Sequence, residues 1–151
     1  MIFVSEIFGS TIQGEGAEAG ARCIFCRVSN CDYSCQWCDS KFTWADKNAL
    51  RLFGSEVSEK LLDKCISTNT YHVVLTGGNP CLYDFEEVID TLHDHSIKVD
   101  VETQGSILPK WLNKIDTITF SPKPPSSKQK DTYDTIKQFL EDKVFSGDNY
   151  L

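Results

Sequence analysis

Cys31-Asp-Tyr-Ser-Cys35-Gln-Trp-Cys38 is the stretch of sequence that indicates most about the fold and chemistry of this chain. Three and then two residues separate its cysteines. Thiols so close together would compete for one partner, so the spacing does not suit a framework of disulfides. It is typical of a loop that wraps around a metal centre and directs every sulfur inward. Three thiolates on a four-iron cluster would leave one iron without a protein ligand, where a small molecule could bind and react.

The composition limits the class of protein. The chain has 151 residues, a net charge of −7 and 40% hydrophobic residues, which predicts one globular domain over residues 1–151. The acidic balance argues against direct binding to nucleic acid, which needs a basic surface. No apolar run is long enough for a membrane span, and the N-terminus lacks the pattern of a signal peptide. We therefore expect a cytoplasmic protein, because that compartment keeps thiols reduced.

The hydrophobic pattern predicts alternating strands and helices. Short apolar and β-branched runs predict strands over residues 2–8, 22–28, 71–76, 97–102 and 116–120. Helical spacing predicts helices over residues 55–67, 84–95 and 131–143. Ser55 is the expected N-cap of the first helix, Pro109 is expected to begin a short helix, and the glycines between residues 9 and 20 indicate a loop. From residue 55 onward, the alternation predicts an α/β fold with a mainly parallel sheet.

Polar and glycine-rich segments follow several of the predicted strands. They cover residues 30–40, 76–78, 102–104 and 121–123. Ligands of parallel sheets collect at the carboxyl ends of the strands. We therefore expect these segments to meet at one rim of the sheet and to form a site there.

Zinc is the alternative metal. A tetrahedral zinc site normally has four ligands, often as two separated pairs, and Cys23 and Cys26 have a suitable spacing. These two residues or a histidine could complete such a site. However, they fall in a predicted strand, where side chains three residues apart point to opposite faces. The spacing of the cysteine loop therefore favours an iron–sulfur cluster.

Five blocks of sequence carry a more specific signal. They are Phe-Gly-Ser-Thr-Ile-Gln-Gly-Glu-Gly at 8–16, Cys-Asp-Tyr-Ser-Cys-Gln-Trp-Cys-Asp-Ser at 31–40, Thr-Gly-Gly-Asn-Pro at 76–80, Glu-Thr-Gln-Gly at 102–105 and Ser-Pro-Lys-Pro-Pro-Ser-Ser at 121–127. In this order the blocks closely resemble the 7-carboxy-7-deazaguanine synthase family of the radical S-adenosylmethionine (SAM) superfamily. The cysteine spacing is common to the superfamily, whereas the five blocks together are specific to the family.

The resemblance implies a lyase of 7-deazapurine (queuosine) biosynthesis. Such an enzyme converts 6-carboxy-5,6,7,8-tetrahydropterin to 7-carboxy-7-deazaguanine and ammonia by radical chemistry that the cofactors carry. The implied cofactors are a 4Fe–4S cluster, SAM and Mg²⁺. The implied partners are the small-molecule pterin and an electron donor such as flavodoxin, with a homodimer as an open possibility. The implied fold is an incomplete (β/α) barrel of the radical SAM type.

Site residues follow from the resemblance, position by position. The implied cluster ligands are Cys31, Cys35 and Cys38, with Ser40 as a ligand of Mg²⁺. The implied contacts of SAM are Trp37, Cys38, Asp39, Gly78, Ser121, Pro122 and Lys123. The implied contacts of the pterin are Ile12, Gln13, Gly14, Arg27 and Thr76, and Glu15 and Glu102 are expected as additional polar contacts. From its sequence position alone, Arg27 fits a strand-end residue as well as an anchor for a carboxylate.

One departure leaves other functions open. The family continues past this point with further strands, so we expect the single domain to lack the family's C-terminal strands. The alternative functions are a radical SAM activase that installs a glycyl radical on a partner protein, and an inactive cluster-binding fragment. The short length favours the activase, whereas the blocks at 13–16, 102–105 and 121–127 argue against it.

Overall fold

The structure is a computed structural model, and it describes residues 1–45 and 48–146, with side chains to residue 142. The predicted domain over 1–151 thus includes residues that lie outside this description. The strands are β1 (Ile2–Ile12), β2 (Arg22–Val28), β3 (Leu50–Leu52), β4 (His72–Gly77), β5 (Lys98–Thr103) and β6 (Thr117–Phe120). The helices are α1 (Gly54–Thr68), α2 (Glu86–Asp94) and α3 (Tyr133–Ser146). This content confirms the α/β class.

The six strands form one sheet in the order β3-β1-β2-β4-β5-β6. Strands β2, β4, β5 and β6 are parallel to one another, whereas β1 is antiparallel to both β2 and β3. The prediction of a mainly parallel sheet is therefore wrong, because the sheet is mixed. The cause is the short connection after β1, closed by hydrogen bonds from Gln13 N to Ala21 O and from Gly20 N to Gln13 O. A connection of this length makes a hairpin, whereas parallel neighbours need a longer crossover.

Several elements begin or end at residues other than those predicted from the sequence. Strand β1 continues to Ile12 beyond Gly9, because Thr11 and Ile12 still pair with β2. The N-cap of α1 is Phe53 and not Ser55, since the Glu56 carboxylate accepts a hydrogen bond of 2.7 Å from the Phe53 backbone nitrogen. The predicted helix at Pro109 is a 3₁₀ turn over Lys110–Lys114. The short strand β3 was not predicted.

The two faces of the sheet differ in chemistry. Alternate residues of β2, β4 and β5 lie in the core beneath the helices; they are Ile24, Cys26, Val28, Val73, Leu75, Val99 and Val101. Helices α1 and α2 add Leu61 and Leu92 to this core. Because side chains alternate along a strand, the intervening positions face the other way. There the strands carry Arg27, His72, Thr76, Asp100 and Glu102, which gives a polar face.

The loop between β1 and β2 crosses this polar face. Gly16 lies so close to Thr119 that a Cβ on Gly16 would overlap its hydroxyl. Glu18 forms an ion pair with Lys98, and the Gln13 amide donates a hydrogen bond of 2.8 Å to Glu102. The chain therefore covers part of its own polar face. Among the residues described, the helices are all too short or too polar to cross a membrane.

The buried thiol of Cys26 predicts a loss of stability in alkali. Burial raises the pKa of Cys26 to about 12, against about 8.5 in an unfolded chain. The neutral thiol therefore stabilises the fold below about pH 8.5, and this contribution is lost as the pH rises towards the folded pKa. Urea unfolding between these limits should give a shallower decline for Cys26→Val than for the wild type. Parallel pH profiles would contradict the assignment.

Candidate functional site

A cavity of about 340 Å³ opens at the carboxyl ends of β2, β4, β5 and β6. Segments far apart in sequence meet there, as the rim prediction requires. The sequence-predicted residues that line it are Glu15, Cys31, Cys35, Trp37, Cys38, Asp39, Ser40, Thr76, Gly78, Glu102, Ser121, Pro122 and Lys123. The structure thus brings together the expected cluster ligands, the expected SAM contacts and part of the expected pterin contacts.

Four predicted residues do not line this cavity. Ile12 ends β1 and is 59% exposed, and a Cβ on Gly14 would meet no atom within 4 Å. Gln13 is buried and reaches the cavity through its hydrogen bonds to Glu102 and Glu15, which both line it. Arg27 reaches it through Ser40, as described below. The sequence blocks therefore predict residues near the cavity, but these four do not line it directly.

The three loop cysteines are free thiols that face the same cavity. Burial raises the pKa of Cys31. Burial also raises the pKa of Cys35, and the ammonium of Lys123 opposes that effect. Among the described residues, no three His, Cys, Asp or Glu side chains are grouped as a site for one metal ion. Three sulfurs spread around one cavity are instead a suitable donor set for a polynuclear iron–sulfur cluster.

Cys23 and Cys26 do not contribute to this donor set. Both are fully buried in β2, and Cys26 belongs to the core under the helices whereas Cys23 does not. Neither lines the cavity. The expectation that their side chains point to opposite faces is therefore met, and the described residues give the zinc alternative no second pair of ligands at the site.

The end of β4 is joined to the start of the cysteine loop. Gly78 N donates to Val28 O at 3.0 Å, and Asn79 N donates to Asn30 O at 2.9 Å. A Cβ on Gly78 would overlap the Asn30 carbonyl group. The glycine is thus required by the close approach of two backbones, a reason that the resemblance alone did not give.

A polar network beneath the loop was missed by the sequence analysis. The fully buried Asn79 amide donates to Asp32 Oδ1 at 2.8 Å, and its oxygen accepts a hydrogen bond from Thr103 at 3.0 Å. The Gln104 amide donates to the same Asp32 oxygen at 2.8 Å. These residues lie inside the quoted blocks. Their polar side chains were the only sequence signal that could have indicated a network around the cysteines.

Two tyrosines hold the cysteine loop from other sides. The Tyr33 hydroxyl donates to Lys130 O at 2.8 Å. The Tyr83 hydroxyl donates to Ser29 O at 2.7 Å and accepts from the Asn30 amide at 2.9 Å. No sequence pattern indicated Tyr83, because it lies outside the five blocks. The loop is therefore held from within at Tyr33 and, just before it begins, at Ser29 and Asn30.

Glu102 lies at the centre of the polar side of the cavity. The Thr76 hydroxyl donates to its Oε2 at 2.5 Å, and the Gln13 amide donates to its Oε1 at 2.8 Å. The Gln13 carbonyl oxygen in turn accepts from Glu15 N at 3.2 Å. Both carboxylate oxygens therefore have a fixed donor, and Glu102 holds the loop after β1 against β4.

Arg27 and Ser40 form the opposite corner. Arg27 Nε donates to Glu6 at 2.8 Å, and its Nη1 donates to Ser40 Oγ at 3.4 Å. The Ser40 hydroxyl donates to Asp39 Oδ1 at 3.0 Å. The guanidinium carbon lies 5.9 Å from the centre of the Phe42 ring. Arg27 is therefore both a strand-end residue with a partner and a cation beside the cavity.

Lys123 completes the rim. Its ammonium donates to Ser121 Oγ at 2.9 Å and lies 5.9 Å from the centre of the half-exposed Trp37 ring. A cation over an indole is stabilised by the ring quadrupole. The proline segment and the cysteine loop thus meet at the mouth of the cavity.

A family model described as a 4Fe-4S single cluster domain matches residues 12–120. The chain belongs to this family. The matched range contains the cysteine loop and the cavity-lining residues after β4 and β5, whereas Ser121, Pro122 and Lys123 lie just beyond it. The prediction of a 4Fe–4S cluster is confirmed at the level of the family.

Members with established names are similar to the chain over most of its length. It is 42% identical to the 7-carboxy-7-deazaguanine synthase of Bacillus cereus over 142 residues, covering 91% of the chain and 59% of the relative. The Bacillus subtilis protein of the same name is also 42% identical, with 91% and 58% covered. The chain thus spans about three fifths of the length of these relatives. The resemblance predicted from the five blocks is confirmed.

A solved structure supports the same placement. The crystal structure of QueE from Escherichia coli matches with a TM-score of 0.67 and 25% identity, covering 95% of this chain and 77% of that one. The mixed α/β architecture of this family member therefore has a counterpart in a solved structure.

The contact at Gly78 generates a stability prediction. Gly78→Ala should lower the free energy of unfolding by about 1–3 kcal/mol, as overpacking does, because the added methyl group meets backbone that cannot rotate away. Gly14→Ala is the matched control, since its methyl group enters open space, and a change within about 0.5 kcal/mol is expected. Equal effects in a urea titration would show that the close approach does not matter.

Proposed function

We propose that this chain carries the radical SAM site of a lyase that converts 6-carboxy-5,6,7,8-tetrahydropterin to 7-carboxy-7-deazaguanine and ammonia. The observation that supports it most is the meeting of three thiols with Thr76 and Glu102 around one cavity. The chain is also 42% identical to proteins named 7-carboxy-7-deazaguanine synthase. A metal loop and a polar pocket on the same rim are what a cofactor and a small polar substrate need in order to meet.

Cys31, Cys35 and Cys38 would hold the 4Fe–4S cluster. When bound, the cluster would supply the electron that cleaves SAM and starts the radical reaction. The protein's own part is to bind and orient the groups and to limit access of water. The described contacts suit that part, because Tyr33 and Tyr83 hold the loop and the residue Ser29 before it in place by hydrogen bonds within the protein.

SAM would lie between the cysteine loop and the proline segment. Its proposed contacts are Trp37, Cys38, Asp39, Gly78, Ser121, Pro122 and Lys123. The ammonium of Lys123 and the carboxylate of Asp39 provide opposite charges along the same cavity, which suits a ligand that carries both an amino group and a carboxylate. Gly78 has no side chain, as its close approach to the cysteine loop already requires, so SAM would contact the backbone there.

The pterin would bind on the side of Glu102 and Thr76, with Ile12, Gln13, Gly14 and Glu15 supplied by the loop after β1. Arg27 would bind the pterin carboxylate. Its present partner, Glu6, is 45% exposed at the side chain, and exposed ion pairs contribute only about 0–1 kcal/mol. A substrate carboxylate with bidentate geometry could therefore compete for the guanidinium.

Ser40 would be a ligand of Mg²⁺. Its hydroxyl lies 3.0 Å from an Asp39 oxygen, and a hard cation prefers such oxygen donors and keeps several waters. Arg27 Nη1 also contacts the Ser40 hydroxyl, so binding of the ion requires the guanidinium to turn towards another partner. The pterin carboxylate would provide that partner.

Further expectations accompany this function. The polar face of the sheet, opposite the helices, would be the interior of an incomplete barrel formed by a single domain over residues 1–151. The free cysteines suit the cytoplasm. The electron donor would be a protein such as flavodoxin, and a homodimer remains the proposed assembly. Nucleic acid and membrane are not expected as direct partners.

Anaerobic reconstitution tests the proposal. The protein with iron, sulfide, reductant, SAM, Mg²⁺ and carboxytetrahydropterin should form 7-carboxy-7-deazaguanine, measured by chromatography with mass detection. Cys35→Ala should lose both cluster absorbance and product, because one of the cluster's thiolates is gone. Cleavage of SAM without conversion of the pterin would favour the activase. A wild-type protein that takes up zinc but no iron would contradict both enzyme functions.

The magnesium assignment has its own variant. Ser40→Ala should raise the Mg²⁺ concentration needed for half-maximal product formation by about tenfold or more, as loss of a supporting group does at metal sites. Ser34→Ala is the matched control, because Ser34 lies in the same loop and contacts Gln129 through its backbone nitrogen. An Mg²⁺ response of Ser40→Ala that matches the control would refute the assignment.

A further inference from the structure

Gln104 occupies an unusual place at the end of β5. Its side chain is almost fully buried, and its amide nitrogen lies 2.8 Å from Asp32 Oδ1 and 3.1 Å from Ser106 Oγ. The same nitrogen lies 3.9 Å from Cys31 Sγ, within reach of a hydrogen bond to sulfur, so that its two N–H donors are shared among three acceptors. One amide therefore contacts both a cysteine of the loop and the residue that follows it.

The amides of Asn79 and Gln104 form an amide clamp on Asp32. Both donate to the same carboxylate oxygen at 2.8 Å. The clamp is rigid, because the Asn79 oxygen accepts from Thr103 and the Gln104 backbone oxygen accepts from Thr132 at 2.6 Å. Since Asp32 is the covalent neighbour of Cys31, the clamp fixes the first cysteine relative to β4 and β5.

The two amides differ in what else they contact. Asn79 divides its hydrogen bonds among Asp32, Ser106, Thr103 and the backbone of Cys81. It therefore has a purely structural set of partners. Gln104, in contrast, lines the cavity, and its amide nitrogen approaches the sulfur of Cys31. The sulfur contact thus belongs to Gln104 and not to the clamp as a whole.

We propose that Gln104 is a positioning residue that holds Cys31 through Asp32 and donates a hydrogen bond to the Cys31 sulfur, thereby raising the reduction potential of the cluster. The inference rests on the proposed function, since it concerns the cluster that the loop would hold. Reduction adds negative charge to the cluster and its thiolates. A donor aimed at a ligating sulfur stabilises that charge, and such hydrogen bonds are among the factors that set cluster potentials.

The charge of Asp32 makes this donor more important. A carboxylate beside the first cysteine opposes reduction by repulsion, because it adds negative charge next to the thiolate. The amides of Gln104 and Asn79 solvate that carboxylate and so weaken its effect. Gln104 therefore acts in two ways with the same sign: it donates to the sulfur and it screens the neighbouring acid.

The test compares reduction potentials in the reconstituted full chain. Gln104→Met keeps the length and volume of the side chain and removes the donor. At a fixed potential, we expect its ratio of reduced to oxidised cluster to fall about tenfold, which for a one-electron couple is a downward shift of about 59 mV. Gln104→Glu should shift it further, because it adds a charge. Potentials are measured by redox titration followed by electron paramagnetic resonance.

Gln129→Met is the matched control. Gln129 also contacts the cysteine loop, but its side-chain oxygen accepts from the backbone of Ser34 at 3.3 Å, and its amide donates to the Ser127 backbone. Its potential should match the wild type. A Gln104→Met potential equal to the wild type, or an equal shift in Gln129→Met, would overturn the tuning role.

A measurement on the protein without iron separates this inference from the proposed function. In a double-mutant cycle of Asp32→Ala and Gln104→Met, the unfolding equilibrium constants should show a coupling of about tenfold, as residues in direct contact do. The same cycle with Gln129→Met should show none. If the wild type binds no cluster, the proposed function fails in that sample. The cycle then decides the positioning role by itself: coupling supports it, and its absence overturns it.

Discussion

Two backbone hydrogen bonds between the turn after β4 and residues 28–30, which lead into the cysteine loop, are the constraint on which the site depends. They run from Gly78 to Val28 and from Asn79 to Asn30, and they require the chain after β4 to approach the loop without a side chain at position 78. Because β2 and β4 are parallel neighbours, the loop that follows β2 and the turn that follows β4 leave the sheet at the same rim. The two hydrogen bonds then fix the position of the cysteine loop relative to the turn after β4. The thiols, Gln104 and Glu102 then share one cavity.

The different chemistry of the two sheet faces explains how a small domain can hold a polar site. One face is buried by α1 and α2 in a continuous apolar core, and most of the hydrophobic stabilisation comes from such burial. The other face carries charged and hydroxyl side chains that nearly all have partners, such as Glu102 with Thr76 and Gln13. Among the described side chains, Asp100 Oδ1 is the buried oxygen without a hydrogen bond, and Lys98 lies 3.7 Å away. Satisfied polar groups near the rim are thus available to orient ligands.

The sequence predicted some features of this structure well and others poorly, for physical reasons. Strand β2 was predicted with its observed bounds, since its apolar run is short and bounded. The antiparallel placement of β1 was missed, because pairing between distant segments leaves no local pattern, and the three-residue strand β3 is too short to give a periodic signal. The cysteine loop was recognisable from spacing alone. Its supports were not: Tyr83 and Gln104 are defined by contacts that form only after folding. Arg27 was equally compatible with two roles, and the structure gives it the partner Glu6.

Under the proposed function, the cysteine loop would supply three thiolates to a four-iron cluster and would leave one iron open for SAM. Mössbauer spectroscopy of the iron-57 reconstituted chain, with and without SAM, tests this most directly. We expect four irons per chain, one of which changes its signal when SAM is added while the other three stay as they were. A spectrum in which all irons respond alike, or none responds, would contradict it.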